Sequence, residues 1–333
     1  MTRAPRAATA PNATILGVGA YRPARVLDND DVCQVLDSAG RAVVARSGIR
    51  GRRRAAPTET LAAMAHAASA KALAAAGFRP GEVDHIIVTT MSRPGGHPPV
   101  SSELAQRLPT RRATVSDISA VCAGFTSALA LARNAVVTEQ ARCVLVVGAE
   151  RMLDIVDPRD RSTAALFGDG AGAMVVGPSR QLGIGPVSWR PEESERGLAC
   201  RGEAWVSLRS QATNSWPYLR MDGPQVYRWA MSELPAIAQT ALDLAEVKAA
   251  ELDAFIPHQA NQRIVDGIAR ALNLPRRVAV ARDLVDMGDT AAASIPMAME
   301  QLLASGEAPA GGLALLLGFG AGLAHAAQVV RLP

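Results

Sequence analysis

The chain has 333 residues, 49% hydrophobic and 20% charged, with a formal net charge of +4. That is globular material long enough for two domains or one duplicated unit, and no apolar run approaches the roughly 18 residues a membrane span needs. Its densest basic run, "RSGIRGRRR" (46–54), lacks interleaved aromatics and any DNA-binding motif, which points away from nucleic acid.

In chain order, residues 1–12 read as a disordered tail, too poor in apolar residues for a signal segment, and "TILGVG" as a first strand. Residues 58–77 predict an alanine-rich helix with Thr58 as N-cap and Gly77 as its stop. "HIIVTT" and "CVLVVG" are short, β-branched runs of the kind that form fully buried strands. The glycine-rich "FGDGAGAMVVG" (167–177) leads into a strand and lacks GxGxxG spacing, so it is no nucleotide loop. The four cysteines (33, 122, 143, 200) form no CxxC pair, which argues against disulfides and zinc and fits a reducing cytoplasm.

The pattern then repeats. "EVDHIIV" is echoed by "ELDAFIP" 169 positions on (82 to 251), and "CVLVVGAE" by "LALLLGFG" 170 positions on (143 to 313). Between each pair lies a small-residue turn entering a helix. Each unit reads as strand, helix, strand, helix, strand, so the expected fold is α/β. Two βαβαβ-type halves, 13–178 and 179–333, would stack as α/β/α/β/α. The first half carries an extra segment, "RMLDIVDPRDRSTAALFGDG", of the kind that builds an interface or a site edge.

Three side chains could carry chemistry. Cys122 enters a helix among small residues, a placement that favours a thiolate nucleophile but also suits a core cysteine. His258, in "FIPHQANQRI", ends a buried strand, where α/β folds present side chains to ligands. Asp289 sits in the tight turn "MGDTAAASIP"; ordinary turn chemistry would explain it in isolation. In "GFGAGLA" the glycines let a backbone N–H approach a thioester carbonyl.

Together these segments resemble the β-ketoacyl-acyl carrier protein synthase III family of the thiolase-fold superfamily. The resemblance rests on "ARSGIRGR", "AVCAGFTSAL", "DPRDRSTAALFGDGAGA", "PHQANQRI", "GDTAAASIP" and "GFGAGLA", and covers nearly the whole chain. It implies a homodimer that takes an acyl group from a coenzyme A or carrier-protein thioester onto Cys122, with no resident cofactor or metal. It implies His258 as the histidine partner, the Gly320 and Cys122 amides as oxyanion donors, and Arg46, Arg161, Asn261, Arg263 and Phe319 as substrate- or carrier-binding residues. Three positions depart from the family pattern: Asp289 stands for an Asn, Ala42 for a Trp that stacks on adenine, and Ala321 for a glycine.

The Asp289 departure steers the expected reaction. An ionised carboxylate only accepts hydrogen bonds and would oppose a malonyl-derived enolate by about 4 kcal/mol at ~4 Å, roughly three powers of ten in rate. The same carboxylate would orient His258 as a general base. The expectation is therefore a Cys-His-Asp acyltransferase of specialised metabolism, passing the acyl group to a hydroxyl, amine or thiol acceptor. The alternative is a decarboxylating synthase that condenses an acyl starter with a malonyl thioester and in which Asp289 is tolerated.

Overall fold

A computed structural model describes residues 12–36, 40–93, 98–110, 112–189, 200–201, 216, 218–320 and 324–333. The first half opens with β1 (Asn12–Tyr21), so a strand starts where the tail was expected to end. A hairpin of β2 (Arg25–Asp28) and β3 (Gly51–Arg54) encloses α1 (Asn29–Leu36) and α2 (Gly40–Ser47). Then follow α3 (Leu61–Ala76), β4 (His85–Thr89), α4 (Val100–Arg107), β5 (Thr114–Ile118), α5 (Gly124–Val137), β6 (Val144–Arg151) and β7 (Asp169–Ser179).

The second half repeats this order. It contains β8 (Ile184–Ser188), the short pair β9 (Cys200–Arg201) and β10 (Arg220–Met221), α6 (Gly223–Leu244), β11 (Ala254–Pro257), α7 (Gln262–Ala271) and β12 (Ala279–Val280). It closes with α8 (Leu284–Met287), α9 (Ser294–Ala304), β13 (Leu313–Phe319) and β14 (His325–Arg331).

The two main sheets have matching orders, β1-β7-β6-β4-β5 and β8-β14-β13-β11-β12. Each half holds more than the expected three strands. The extra last strand, β7 or β14, pairs antiparallel with its predecessor. No α-helix separates the two, and a helix is the usual crossover by which consecutive neighbours come to run parallel. The remaining strands run parallel to one another.

Strand alternation sorts the core into layers. On β6, Leu145, Val147 and Ala149 face α3 and α4, while Val144 and Val146 face inward. On β13, Leu315, Leu317 and Phe319 face α6 and α7, while Ala314 and Leu316 face inward. The inner faces of both sheets close on α5 and α9 through Phe125, Leu129, Ile295 and Met299. The result is the α/β/α/β/α stack. Gly148 and Gly318 mark two corresponding places where the halves approach closely. A Cβ on Gly148 would stand 2.4 Å from the Ala292 carbonyl oxygen, and one on Gly318 would stand 3.2 Å from the Ala123 Cα.

The α3 stop falls at Gly77, in the left-handed region at φ 71°, as the sequence predicts. The cap does not fall on Thr58. The Glu59 carboxylate holds the Ala56 amide at 2.5 Å and keeps residues 56–59 in a turn, so the helix starts at Leu61 and Thr60 accepts the Ala63 N–H.

Candidate active site

The chain leaves β5 and makes one tight turn, Val121–Ala123, before α5 begins. Val121 sits at φ 50°, a left-handed conformation that costs a β-branched residue energy and marks a constrained site. That turn delivers Cys122, buried at 7% exposure, to the positive end of α5. Its Sγ lies 4.0 Å from Met91 Sδ. Cys143, by contrast, is buried within the first sheet, and burial pushes its thiol up to about 12, which leaves it inert at neutral pH.

His258 follows β11 directly, its N–H donating to the Leu317 carbonyl at 2.8 Å. Phe319 meets the ring edge-on at 5.0 Å between centroids. Nδ1 lies 2.8 Å from Ser294 Oγ, and that oxygen accepts the Gln259 N–H. Assigning the Ser294 hydroxyl as the donor to Nδ1, which gives its proton an acceptor, puts the ring proton on Nε2. Burial drives the imidazole down to about 3, so His258 is neutral at physiological pH.

Asp289 is placed by the inserted segment of the first half. Gly288 turns the chain at φ 67°, where a Cβ would stand 2.7 Å from the Leu166 carbonyl oxygen. Asp289 N–H then donates to Leu166, and its carbonyl accepts the Gly168 N–H at 2.9 Å. The carboxylate accepts the Ala291 N–H at 2.8 Å, and its Oδ1 lies 3.6 Å from His258 Nε2. Burial pushes Asp289 up to about 7.

Two expectations change here. Burial favours the protonated carboxyl group below about pH 7, so the repulsion expected of a permanently ionised Asp289 is confined to higher pH. A Cys-His-Asp triad also needs the carboxylate on one imidazole nitrogen and the acceptor on the other. Nδ1 is taken by Ser294, and Asp289 shares the Nε2 side that remains.

Cys122, His258 and Asp289 line one cavity with Met91, Phe167, Leu219, Phe319 and Gly320. Phe167 comes from the inserted segment, as a site edge was expected to. Leu219 follows a stretch, 190–218, expected to shape the acyl pocket; most of that stretch lies outside the described residues. Gly320 does not supply the expected oxyanion donor: its N–H donates to the Ala324 carbonyl at 2.9 Å, continuing the β13–β14 pairing. Its contribution is space, since a Cβ there would stand 3.1 Å from the Cys122 nitrogen. Ala321 lies outside the described residues. Ser294 and Glu150 were missed in the sequence, where a lone Ser and a strand-end Glu carry no signal.

The chain matches family models described as 3-oxoacyl-[acyl-carrier-protein (ACP)] synthase III over residues 116–191 and as its C-terminal part over 242–332. It is 48% identical to the β-ketoacyl-[acyl-carrier-protein] synthase III of Streptomyces glaucescens over 333 residues, covering 100% of both chains. It belongs to the synthase III family. A mycobacterial synthase III from Mycobacterium marinum is 43% identical over 320 residues, 96% of this chain and 95% of that one. Among solved structures, the priming β-ketosynthase of the R1128 polyketide pathway matches with TM-score 0.94 at 43% identity, covering 100% of this chain and 98% of that one. The fold of this synthase III family member is the thiolase fold.

The residues expected to bind substrate or carrier do not form one cluster of free side chains. Arg46 is exposed on α2, with Nε donating back to the Ala42 carbonyl. Asn261 caps α7 and ties it to α2, accepting from Arg263 N and donating to the Arg46 carbonyl at 3.2 Å. Arg263 is exposed and lies over the Tyr227 ring at 5.5 Å. Arg161 is exposed in the inserted segment. Phe319 is 1% exposed, packed against His258 as a wall of the cavity. Among the described residues, no group of three or more His, Cys, Asp or Glu could hold a metal ion, and no helix is long and apolar enough to cross a membrane.

Proposed function

We propose that this protein is a decarboxylating synthase that joins an acyl group on Cys122 to a malonyl thioester. One observation carries the reading: His258 Nε2 and the Asp289 carboxyl group stand 3.6 Å apart in the cavity that Cys122 lines, and burial, by raising the Asp289 pKa to about 7, lets its protonated form donate beside Nε2–H. Cys122 Sγ attacks the starter thioester, and the departing thiol takes the proton. The malonyl carboxylate then leaves as carbon dioxide, and its bonding pair becomes an enolate. Nε2–H and the Asp289 O–H donate to that enolate oxygen as its charge develops. The enolate carbon attacks the Cys122 thioester, the new carbon–carbon bond forms, and the Cys122 thiolate is released with the β-ketoacyl product.

Carrier protein is the proposed source of the malonyl group, in keeping with the names of the relatives, and a homodimer the proposed assembly. The exposed Arg46 and Arg263 offer positive charge to an acidic carrier. No cofactor takes part in these steps.

The test is intact mass after exposure to a panel of acyl-CoA thioesters, then carbon dioxide release on adding malonyl-carrier protein. The expected result is an acyl adduct absent from Cys122→Ala, followed by carbon dioxide and β-ketoacyl product in equal amounts. Transfer of the acyl group to a hydroxyl or amine acceptor, with malonyl left intact, would restore the acyltransferase reading.

A further inference from the structure

Glu150, the last residue but one of β6, has a side chain at 0% exposure, and the mechanism above does not use it. Its carboxylate accepts the Met91 N–H at 3.1 Å, the Ser92 N–H at 3.1 Å, the Ser92 hydroxyl at 2.5 Å and the Thr90 hydroxyl at 3.1 Å. The Ala292 N–H from the opposite half also faces it. Among the described residues no basic side chain pairs with it, so these donors alone stabilise the group. Such a concentration of donors on one buried carboxylate exceeds what closing a strand end requires.

The duplication explains the arrangement. Positions 170 apart correspond: Val121 and Ala291 share the left-handed turn, at φ 50° and 43°, and Gly148 and Gly318 share the close approach. Ala292 therefore corresponds to Cys122, and Glu150 to Gly320. In one half the Glu150 side chain faces the Ala292 amide. In the other, Gly320 has no side chain, a Cβ there would crowd the Cys122 nitrogen at 3.1 Å, and both residues line the active cavity. One duplicate keeps an open pocket beside its turn; in the other an internal carboxylate fills it.

We propose that Glu150 is a positioning residue: its carboxylate occupies the pseudo-symmetric mate of the place beside Cys122 and, by gathering the Met91 and Ser92 amides while facing that of Ala292, sets the Met91 wall of the active cavity. Met91 is thereby held with its sulfur against Cys122. Ala292 is fixed next to Ala291, whose N–H holds Asp289. A buried acceptor lost at this point leaves amides unpaired on both sides, and the cavity loosens without loss of any group that touches substrate.

The inference rests in part on the condensing reading, so the test separates the two half-reactions. In Glu150→Gln, the acylation rate of Cys122 by acyl-CoA is followed by mass. Carbon dioxide release from malonyl-carrier protein gives kcat and KM. The expected result is a folded variant with decarboxylation kcat down at least tenfold, KM for malonyl-carrier protein within twofold, and slower acylation. Both half-reactions within twofold of the unsubstituted protein would overturn it. If the unsubstituted protein releases no carbon dioxide, the condensing reading fails, while the acylation rate still decides the role of Glu150. Should Glu150→Gln not fold, Ser92→Ala removes one donor and leaves the amides in place. A threefold to tenfold loss in the same rates is expected there, and unchanged rates overturn the proposal.

Discussion

At the scale of single residues, the reaction depends on where one proton sits. Asp289 holds its proton up to about 7 because burial disfavours the carboxylate, against which the single Ala291 N–H is a weaker opposing influence. Below that pH it donates to an enolate; above it the ion only accepts and repels. Decarboxylation should therefore fall on the alkaline side with a midpoint near 7. At pH 8 roughly a tenth of the molecules retain the donor. Asn in its place donates at every pH. Asp289→Asn is expected to remove that alkaline limb and to release carbon dioxide about tenfold faster at pH 8. Rates measured from pH 5.5 to 8.5 in both proteins decide it. A slower variant at pH 8 would mean the carboxylate itself is needed.

At the scale of elements, two strained turns are braced by each other's half. The Ala291 turn sits so close to β6 that only a glycine fits at position 148. Gly148→Ala should push the Ala292 carbonyl away and cost about 1–3 kcal/mol as an overpacking change. Activity should fall with it, because the same turn holds Asp289; a urea midpoint and a condensation rate measured together show whether the losses coincide. The repeat spacing and the helix stop at Gly77 were legible in the sequence because local periodicity and a left-handed cap need no distant partner. The Thr60 cap, the antiparallel last strands and the engaged Gly320 N–H were not. Each is decided by a competing bond, with Glu59 and Ala56, with a neighbouring strand, or with Ala324. Cys122, His258 and Asp289 were legible as candidates, but the tautomer of His258 follows from Ser294, 36 positions away, and no spacing rule reaches it.

At the scale of the whole molecule, a duplicated fold has kept one composite site, taking Cys122 from one half and His258 and Asp289 from the other. It buries carboxyl groups to do so. Burial raises Glu150 to about 7, Asp169 to about 6 and Asp289 to about 7, from ordinary values near 4. A carboxyl whose pKa rises on folding contributes stability that is full below its unfolded value and is lost as pH climbs through the folded one. His258 acts in the opposite sense: its depressed value costs stability as pH falls from 6.5 toward 3. Asp289→Asn removes one of the raised acids and leaves His258 in place, so the difference between variant and parent isolates Asp289. That difference should shift in favour of the variant as pH rises from about 4 to about 7 and then level off. Its total change should be on the order of 4 kcal/mol, at about 1.4 kcal/mol for each pH interval crossed. Urea unfolding at pH 5 and pH 8 reads roughly two-thirds of it, the part that accrues between pH 5 and 7. A stability difference that stays constant between those two pH values would mean that Asp289 is ionised throughout, and the donor role assigned to it would fall with that result.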